Sequence, residues 1–170
     1  KASNMRDYLM FVLGINTGLR ISDLLQLTWG DVLDDKGRIR QSLILKERKT
    51  GKERKLTLCR NAQKALQEVL DTKQNILEGD YIFRSQKGNN RPIGRVHAWY
   101  ILNQAAQTVG IKGRIGTHTL RKTFGYHAYR QGIDITLLQQ LFNHSSPSVT
   151  LRYIGITQDD IDHVYINMNL

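Results

Sequence analysis

KGRIRQSLILKERKTGKERKLTLCR, residues 36–60, decides the fold class. Its apolar residues do not follow a helical period. Ile39, Leu43 and Leu45 lie in one strand-like run, and Leu56 and Leu58 alternate with polar residues in a second. Successive side chains of a strand point to opposite faces, so period two marks a half-buried strand. Between the runs, Arg48-Lys49-Thr50-Gly51-Lys52 carries the glycine of a tight turn. The expectation is an antiparallel hairpin, and a very basic one, with only Glu47 and Glu53 as acids.

Helical patterns lie on both sides. Residues 3–14 place Met5, Leu9, Val12 and Leu13 on one side, with Ser3 as cap, and Asn16-Thr17-Gly18 breaks the run. A second helix over 21–27 turns Leu24, Leu25 and Leu27 inward. Residues 61–77 form an amphipathic helix opened by Asn61. Tyr81-Ile82-Phe83 reads as a short strand and residues 88–92 as a loop. Helices follow over 94–109, 117–131 and 134–142, punctuated by Gly110, Gly113, Gly116 and Gly132. Pro147 starts another with Ser146 as its cap, and Thr157 with Asp160 opens a last one. The fold class is α+β: one mostly helical domain, residues 1–170, with a small antiparallel sheet.

Composition narrows the partner. The chain of 170 residues carries 25 Lys and Arg against 15 Asp and Glu, a formal charge of +10. Lys and Arg gain affinity for a polyanion by releasing its counterions, so nucleic acid is the favoured partner. The charge is polarised: the hairpin is basic, whereas the end of the chain carries Asp159, Asp160 and Asp162. A single cysteine, Cys59, allows neither an internal disulfide nor a cysteine-based zinc site, which suits the cytoplasm. No apolar run is long enough to span a membrane, and KASNMRDYLMF does not have the form of a signal peptide. The five histidines, His97, His118, His127, His144 and His163, form no metal-binding spacing, and no GxxxxGK[ST] loop is present. No cofactor and no metal are expected.

Two segments hold chemistry in ordinary form. In THTLRKTFGYH, residues 117–127, His118 and Arg121 stand three apart at the start of a helix that Thr117 opens. A His and an Arg beside free helix N–H groups suit a phosphate, although taken alone the solvated basic face is the favoured reading. In NTGLRISDLLQL, residues 16–27, Arg20 follows the turn and Asp23 lies three residues on. Alone, that is an intrahelical ion pair of little consequence. Then NHSSPSVTLRYIG, residues 143–155, sets His144 nine residues before Tyr153.

In order, G-L-R-I-S-D-L-L, a basic strand-turn-strand with K-T-G, H-T-L-R and N-H-S-S-P-S-V-T-L-R-Y closely resemble the tyrosine recombinases, or phage integrase family. The resemblance runs from about Asn16 to Tyr153. It implies a tyrosine-recombinase-like catalytic domain and a role for each matching residue. Arg20 and Arg121 are the active-site arginines. His118 is a proton acceptor or orienter, and Asp23 is the acidic position after the first arginine. His144 is a donor and Tyr153 the nucleophile. The hairpin lysine matches Lys49, with Lys46 and Lys52 close by. Arg48, Lys52, Lys122 and Arg152 are expected on the DNA backbone. Many members have Leu-Gly-His where this chain has Phe142-Asn143-His144, and Asn tolerates a left-handed backbone.

The implied reaction is attack of a tyrosine oxygen on a DNA phosphodiester, through a 3′-phosphotyrosine, without metal or ATP. The family usually adds an N-terminal DNA-binding domain, which the chain as given does not contain. It acts as a homo-tetramer on duplex DNA, and this isolated domain is expected as a monomer. The alternatives are a type IB topoisomerase and a DNA-binding module without catalysis.

Overall fold

The computed structural model describes residues 5–46, 51, 53–87, 89–113, 115–157, 160, 162, 166 and 167. The chain divides into two compact units, residues 1–121 and 122–170.

The first unit opens with α1 (Met5–Thr17). This helix runs past the expected break because Asn16 and Thr17 return their side chains to the carbonyls of Val12 and Leu13, at 2.8 and 2.7 Å. It ends where Gly18 takes a φ of +59°, which only glycine adopts freely. Next come α2 (Ile21–Leu24) and α3 (Trp29–Val32). α3 has no apolar period of its own. It forms because Thr28 and Asp31 make a reciprocal capping box, while the Trp29 and Gly30 amides donate to the Asp80 and Glu78 carbonyls.

β1 (Ser42–Lys46) pairs antiparallel with β2 (Glu53–Thr57), Leu43 facing Leu56 and Lys46 facing Glu53. Leu43 and Leu56 are buried, whereas Ile44, the next residue of β1, is 71% exposed, so the alternation does set which face is inward. Ile39 stays outside the strand and bridges Leu33. Residues 47–50 and Lys52 lie outside the described residues; Gly51 has a φ of +67°.

α4 (Arg60–Leu70) starts from Cys59 rather than Asn61 and stops seven residues before the expected end. The Thr72 hydroxyl and the Lys73 amide bond back to Val69 and Leu70, closing a turn, and Leu77 is exposed. Tyr81–Phe83 is not a strand. Tyr81 bridges Thr28 and Arg84 bridges Pro92, with a turn between them. With no neighbouring strand in register beyond single residues, the apolar run is used for burial of Ile82 and Phe83 instead. α5 (Arg95–Thr108) and the first residues of α6 (Thr119–Arg130) complete this unit. Its core joins Leu9, Met10 and Leu13 of α1 with Leu24, Leu66, Phe83, Ala98 and Leu120. Gly14 lets Leu120 sit against α1: a Cβ there would lie 2.4 Å from Leu120 Cδ1.

The second unit holds the rest of α6, α7 (Ile135–Phe142) and α8 (Pro147–Ile154). α8 begins as expected, Pro147 being its first residue and the Ser146 hydroxyl accepting from the Val149 amide. Phe142, Leu138, Thr150 and Ile154 are buried. Gly125 of α6 is required by that packing, since a Cβ would stand 2.6 Å from Phe142 Cε2 and 2.7 Å from Ile154 Cγ2. Past α8, the Asp160 carboxylate accepts from the Thr157 amide at 2.8 Å, and Asp160 and Asp162 are helical.

Candidate active site

In the first unit the turn after α1 carries Arg20. Its backbone is extended, φ −66° and ψ 143°, and it forms the N-cap of α2, leaving its side chain half-buried. Arginines from elsewhere hold two successive carbonyls of this turn. Arg121, 3% exposed, donates from Nη1 to the Gly18 carbonyl. Arg54 of β2 donates to the Thr17 carbonyl at 3.4 Å. The positive φ of Gly18 gives the chain its change of direction here, and Arg20 follows two residues on. Arg121 is thus brought to the Arg20 turn across 103 residues of sequence.

His118 is exposed and precedes the first helical residue, Thr119. The helix does not open at Thr117, because Gly116 and Thr119 first close a tight turn, with the Thr119 amide on the Gly116 carbonyl at 2.9 Å and its hydroxyl accepting from the Gly116 amide at 3.1 Å. Asp23 is buried in α2 and lines a small cleft of about 140 Å³ together with Gln26, Asp31, Leu45 and Lys46. Of the three candidate lysines Lys46, Lys49 and Lys52, only Lys46 is among the described residues; Arg48 also lies outside them.

In the second unit Tyr153 is half-buried on α8, and its ring lies close to His144, Phe142 and Lys122. His144 packs edge-on, with centroids 4.9 Å apart and planes at 73°. Phe142 does so at 5.5 Å and 65°. The Lys122 ammonium lies 5.5 Å from the ring centroid, within cation–π range. Arg152 beside it is exposed in the last turn of the helix.

The approach of His144 depends on how α7 ends. Asn143 adopts φ 54° and ψ 50°, the His144 amide bonds the Gln139 carbonyl and the Asn143 amide that of Gln140, each at 3.0 Å. This is the reciprocal closure of a helix by a left-handed residue, which reverses the chain into His144. A left-handed β-branched residue is a steric outlier, and even an ordinary side chain costs about 1–2 kcal/mol there. Asn143→Gly is therefore expected to keep wild-type stability, and Asn143→Val to lower the melting temperature of the second unit. Equal melting curves for the two variants would contradict this.

Sequence reasoning did not find Arg54 or Thr150. Arg54 reads as one more cation of a basic strand, and its partner is a backbone carbonyl that no side-chain pattern announces. Thr150, fully buried, shares a hydrogen bond of 3.1 Å between its Oγ1 and His144 Nδ1. The only sequence signal for it is a polar residue one turn before Tyr153.

Among the described residues no cluster of three or more His, Cys, Asp or Glu could hold a metal, and no helix is long and apolar enough to cross a membrane.

The fold is that of a DNA-recombinase type of catalytic domain. The sequence model of the phage integrase family matches residues 1–159, and the chain belongs to that family, the tyrosine recombinases, which break and rejoin DNA strands. It is 44% identical to the probable integrase/recombinase YoeC of Bacillus subtilis (strain 168), over 95% of this chain and 84% of that protein. It is 30% identical to the tyrosine recombinase XerD of Corynebacterium glutamicum, over 95% of this chain and 52% of that one. The chain thus spans about half the length of XerD. In structure it is similar to the XerA recombinase, with a TM-score of 0.75 and 23% identity, over 99% of this chain and 61% of that chain. It is also similar to XerH bound to a difH substrate after cleavage, with a TM-score of 0.73 and 21% identity, over 95% of this chain and 45% of that chain.

Proposed function

We propose that this chain is the catalytic domain of a site-specific recombinase that cleaves and rejoins duplex DNA through a 3′-phosphotyrosine. The Tyr153 oxygen attacks phosphorus and the 5′ oxygen leaves. The proton of the phenol passes to a base, for which His118 is the candidate, and Lys49 protonates the leaving oxygen. Negative charge gathers on the non-bridging oxygens in the transition state. Arg20 and Arg121 clamp that charge, and His144 adds a donor. Asp23 orients the arginine end of this set. The phosphotyrosine keeps the energy of the broken ester, so religation by a 5′-hydroxyl runs the same steps in reverse.

The observation that carries this reading is the setting of Tyr153. A tyrosine serving only the core would be sealed among apolar side chains. Tyr153 instead stays half-exposed, with an imidazole on its edge and an ammonium near its ring. The test is covalent trapping on a nicked suicide duplex that carries a recombination core site, read by denaturing gel and peptide mapping. An adduct at Tyr153 supports the reading; an adduct at another residue, or none with a cognate site bound, overturns it.

Duplex DNA is the proposed partner, held along its backbone by Arg48, Lys52, Lys122 and Arg152. Four neutralised phosphates predict a log–log salt slope of about −3.6, or roughly a 150-fold loss of affinity for a fourfold rise in salt. Lys122→Gln is expected to flatten that slope by about one. A mobility-shift titration showing affinity independent of salt would contradict the assignment.

The proposed assembly in the full-length protein is a homo-tetramer on DNA, with this domain alone a monomer. Removal of residues 156–170 is expected to weaken assembly on DNA in sedimentation runs, and unchanged sedimentation counts against a linking role for that segment. The proposed location is the cytoplasm, in keeping with a free cysteine and a DNA substrate.

A further inference from the structure

Three rings of the second unit meet on one buried side chain. Phe142, the last residue of α7, has no exposed surface. Its ring packs edge-on against Tyr153 of α8 at 5.5 Å and lies 5.4 Å from the His144 imidazole, with the planes at 48°. Phe124 of α6 packs edge-on against it as well, at 6.3 Å. A ring has a negative face and a positive edge, so such contacts fix an angle as well as a distance. Gly125 makes the room for this ring. A Cβ there would stand 2.6 Å from Phe142 Cε2, 2.7 Å from Phe142 Cζ and 2.7 Å from Ile154 Cγ2. Neither neighbour has space to retreat, since Phe142 and Ile154 are both buried. Ile154 Cγ2 is bonded directly to the β-carbon, and a β-branched side chain in a helix keeps essentially one rotamer, so it moves only with its helix. That helix carries Tyr153 one residue earlier, and Phe142 stands two residues before His144.

We propose that Phe142 is a positioning residue, seated on Gly125, that sets the distance and angle between the Tyr153 ring and the His144 imidazole. The two groups act on one phosphate, Tyr153 on phosphorus and His144 on an oxygen, so their spacing is a condition of the reaction. Misplacing a reacting group by about 1 Å costs roughly 100-fold in rate. A methyl at position 125 strikes Phe142 and Ile154 together and so displaces both members of the pair. Leucine at position 142 has no Cε or Cζ atoms, so it relieves the clash with that methyl while giving up the edge-on contact with Tyr153. The inference rests on the proposed roles of Tyr153 as nucleophile and His144 as donor.

The test is a double-mutant cycle on the intact chain, with single-turnover cleavage of the suicide duplex measured at saturating DNA and well below the melting temperatures. Phe142→Leu is expected to slow cleavage roughly tenfold, and Gly125→Ala about 100-fold, both at wild-type DNA affinity. On the Phe142→Leu background, Gly125→Ala is expected to cost about tenfold less than it does in the wild-type chain, because touching residues are not additive. The nuclear Overhauser contact between the His144 and Tyr153 rings reads their placement without DNA; it is expected in the wild type and weakened in Phe142→Leu. A folded Gly125→Ala chain that cleaves at the wild-type rate overturns the proposal. So do equal losses from Gly125→Ala in the two backgrounds, and a slower rate that only follows weaker DNA binding. If Gly125→Ala fails to fold, Phe142→Leu decides, and an unchanged ring contact and rate overturn the proposal. A wild-type chain that forms no adduct on a bound cognate site overturns the catalytic reading alone, and the ring contact then still tests what Phe142 holds in place.

Discussion

Tyr153→Phe is expected to abolish the covalent DNA adduct while leaving DNA affinity and thermal stability unchanged. The substitution removes one oxygen and keeps the ring. The edge contacts with His144 and Phe142, and the Lys122 ammonium near the ring, all involve the aromatic system, which phenylalanine retains. Tyr153 is half-buried, so losing its hydroxyl opens no cavity in the apolar core. Phenylalanine offers phosphorus no nucleophile. Loss of a nucleophile in other enzymes lowers turnover by roughly 10⁶-fold. Trapping on the suicide duplex should therefore give no adduct above background, with a mobility shift equal to wild type. Residual adduct in Tyr153→Phe would move the nucleophile elsewhere.

Arg121→Lys is expected to lower the cleavage rate by about 10²–10³-fold, the usual effect of removing one preorganised donor from a transition-state oxyanion. The charge is conserved, so a simple electrostatic role would survive the change. The geometry would not. Arg121 spends one guanidinium nitrogen on the Gly18 carbonyl, and a planar fork can hold that bond while presenting another edge to a phosphate. A lysine ammonium on a single flexible stem cannot be placed for both. The variant should also lose stability, by about 1–3 kcal/mol, because a buried carbonyl is left without its donor. The rate is therefore measured well below the melting temperature of the variant. A folded Arg121→Lys chain that cleaves at the wild-type rate would remove Arg121 from the proposed clamp.

Both experiments turn on residues that the sequence marks by order. The G-L-R, H-T-L-R and H-S-S-P-S-V-T-L-R-Y segments place Arg20, Arg121, His144 and Tyr153 on elements whose ends are locally encoded. Ser146-Pro147 starts α8, and the left-handed residue after α7 is an asparagine, which accepts that backbone at low cost. Period two in residues 42–57 gives the hairpin and its inward face. Such features depend on a few neighbouring residues, so a sequence displays them.

The rest needed contacts between distant residues. α3 exists because Thr28 and Asp31 cap it and because the segment ending at Asp80 supplies carbonyls to its first amides; no apolar period foretells it. Tyr81–Phe83 has the composition of a strand and no full-length partner strand, and a strand is defined by its partner. The end of α4 was settled by Thr72 turning back onto Val69, against an apolar pattern that continued to Leu77. At the candidate site, sequence order names the arginines but not what holds them. Arg121 on the Gly18 carbonyl and Arg54 on that of Thr17 are bonds to backbone, across 103 and 37 residues. A carbonyl carries no residue identity, so only the tertiary structure could assign those partners, and with them the way the Arg20 turn is fixed.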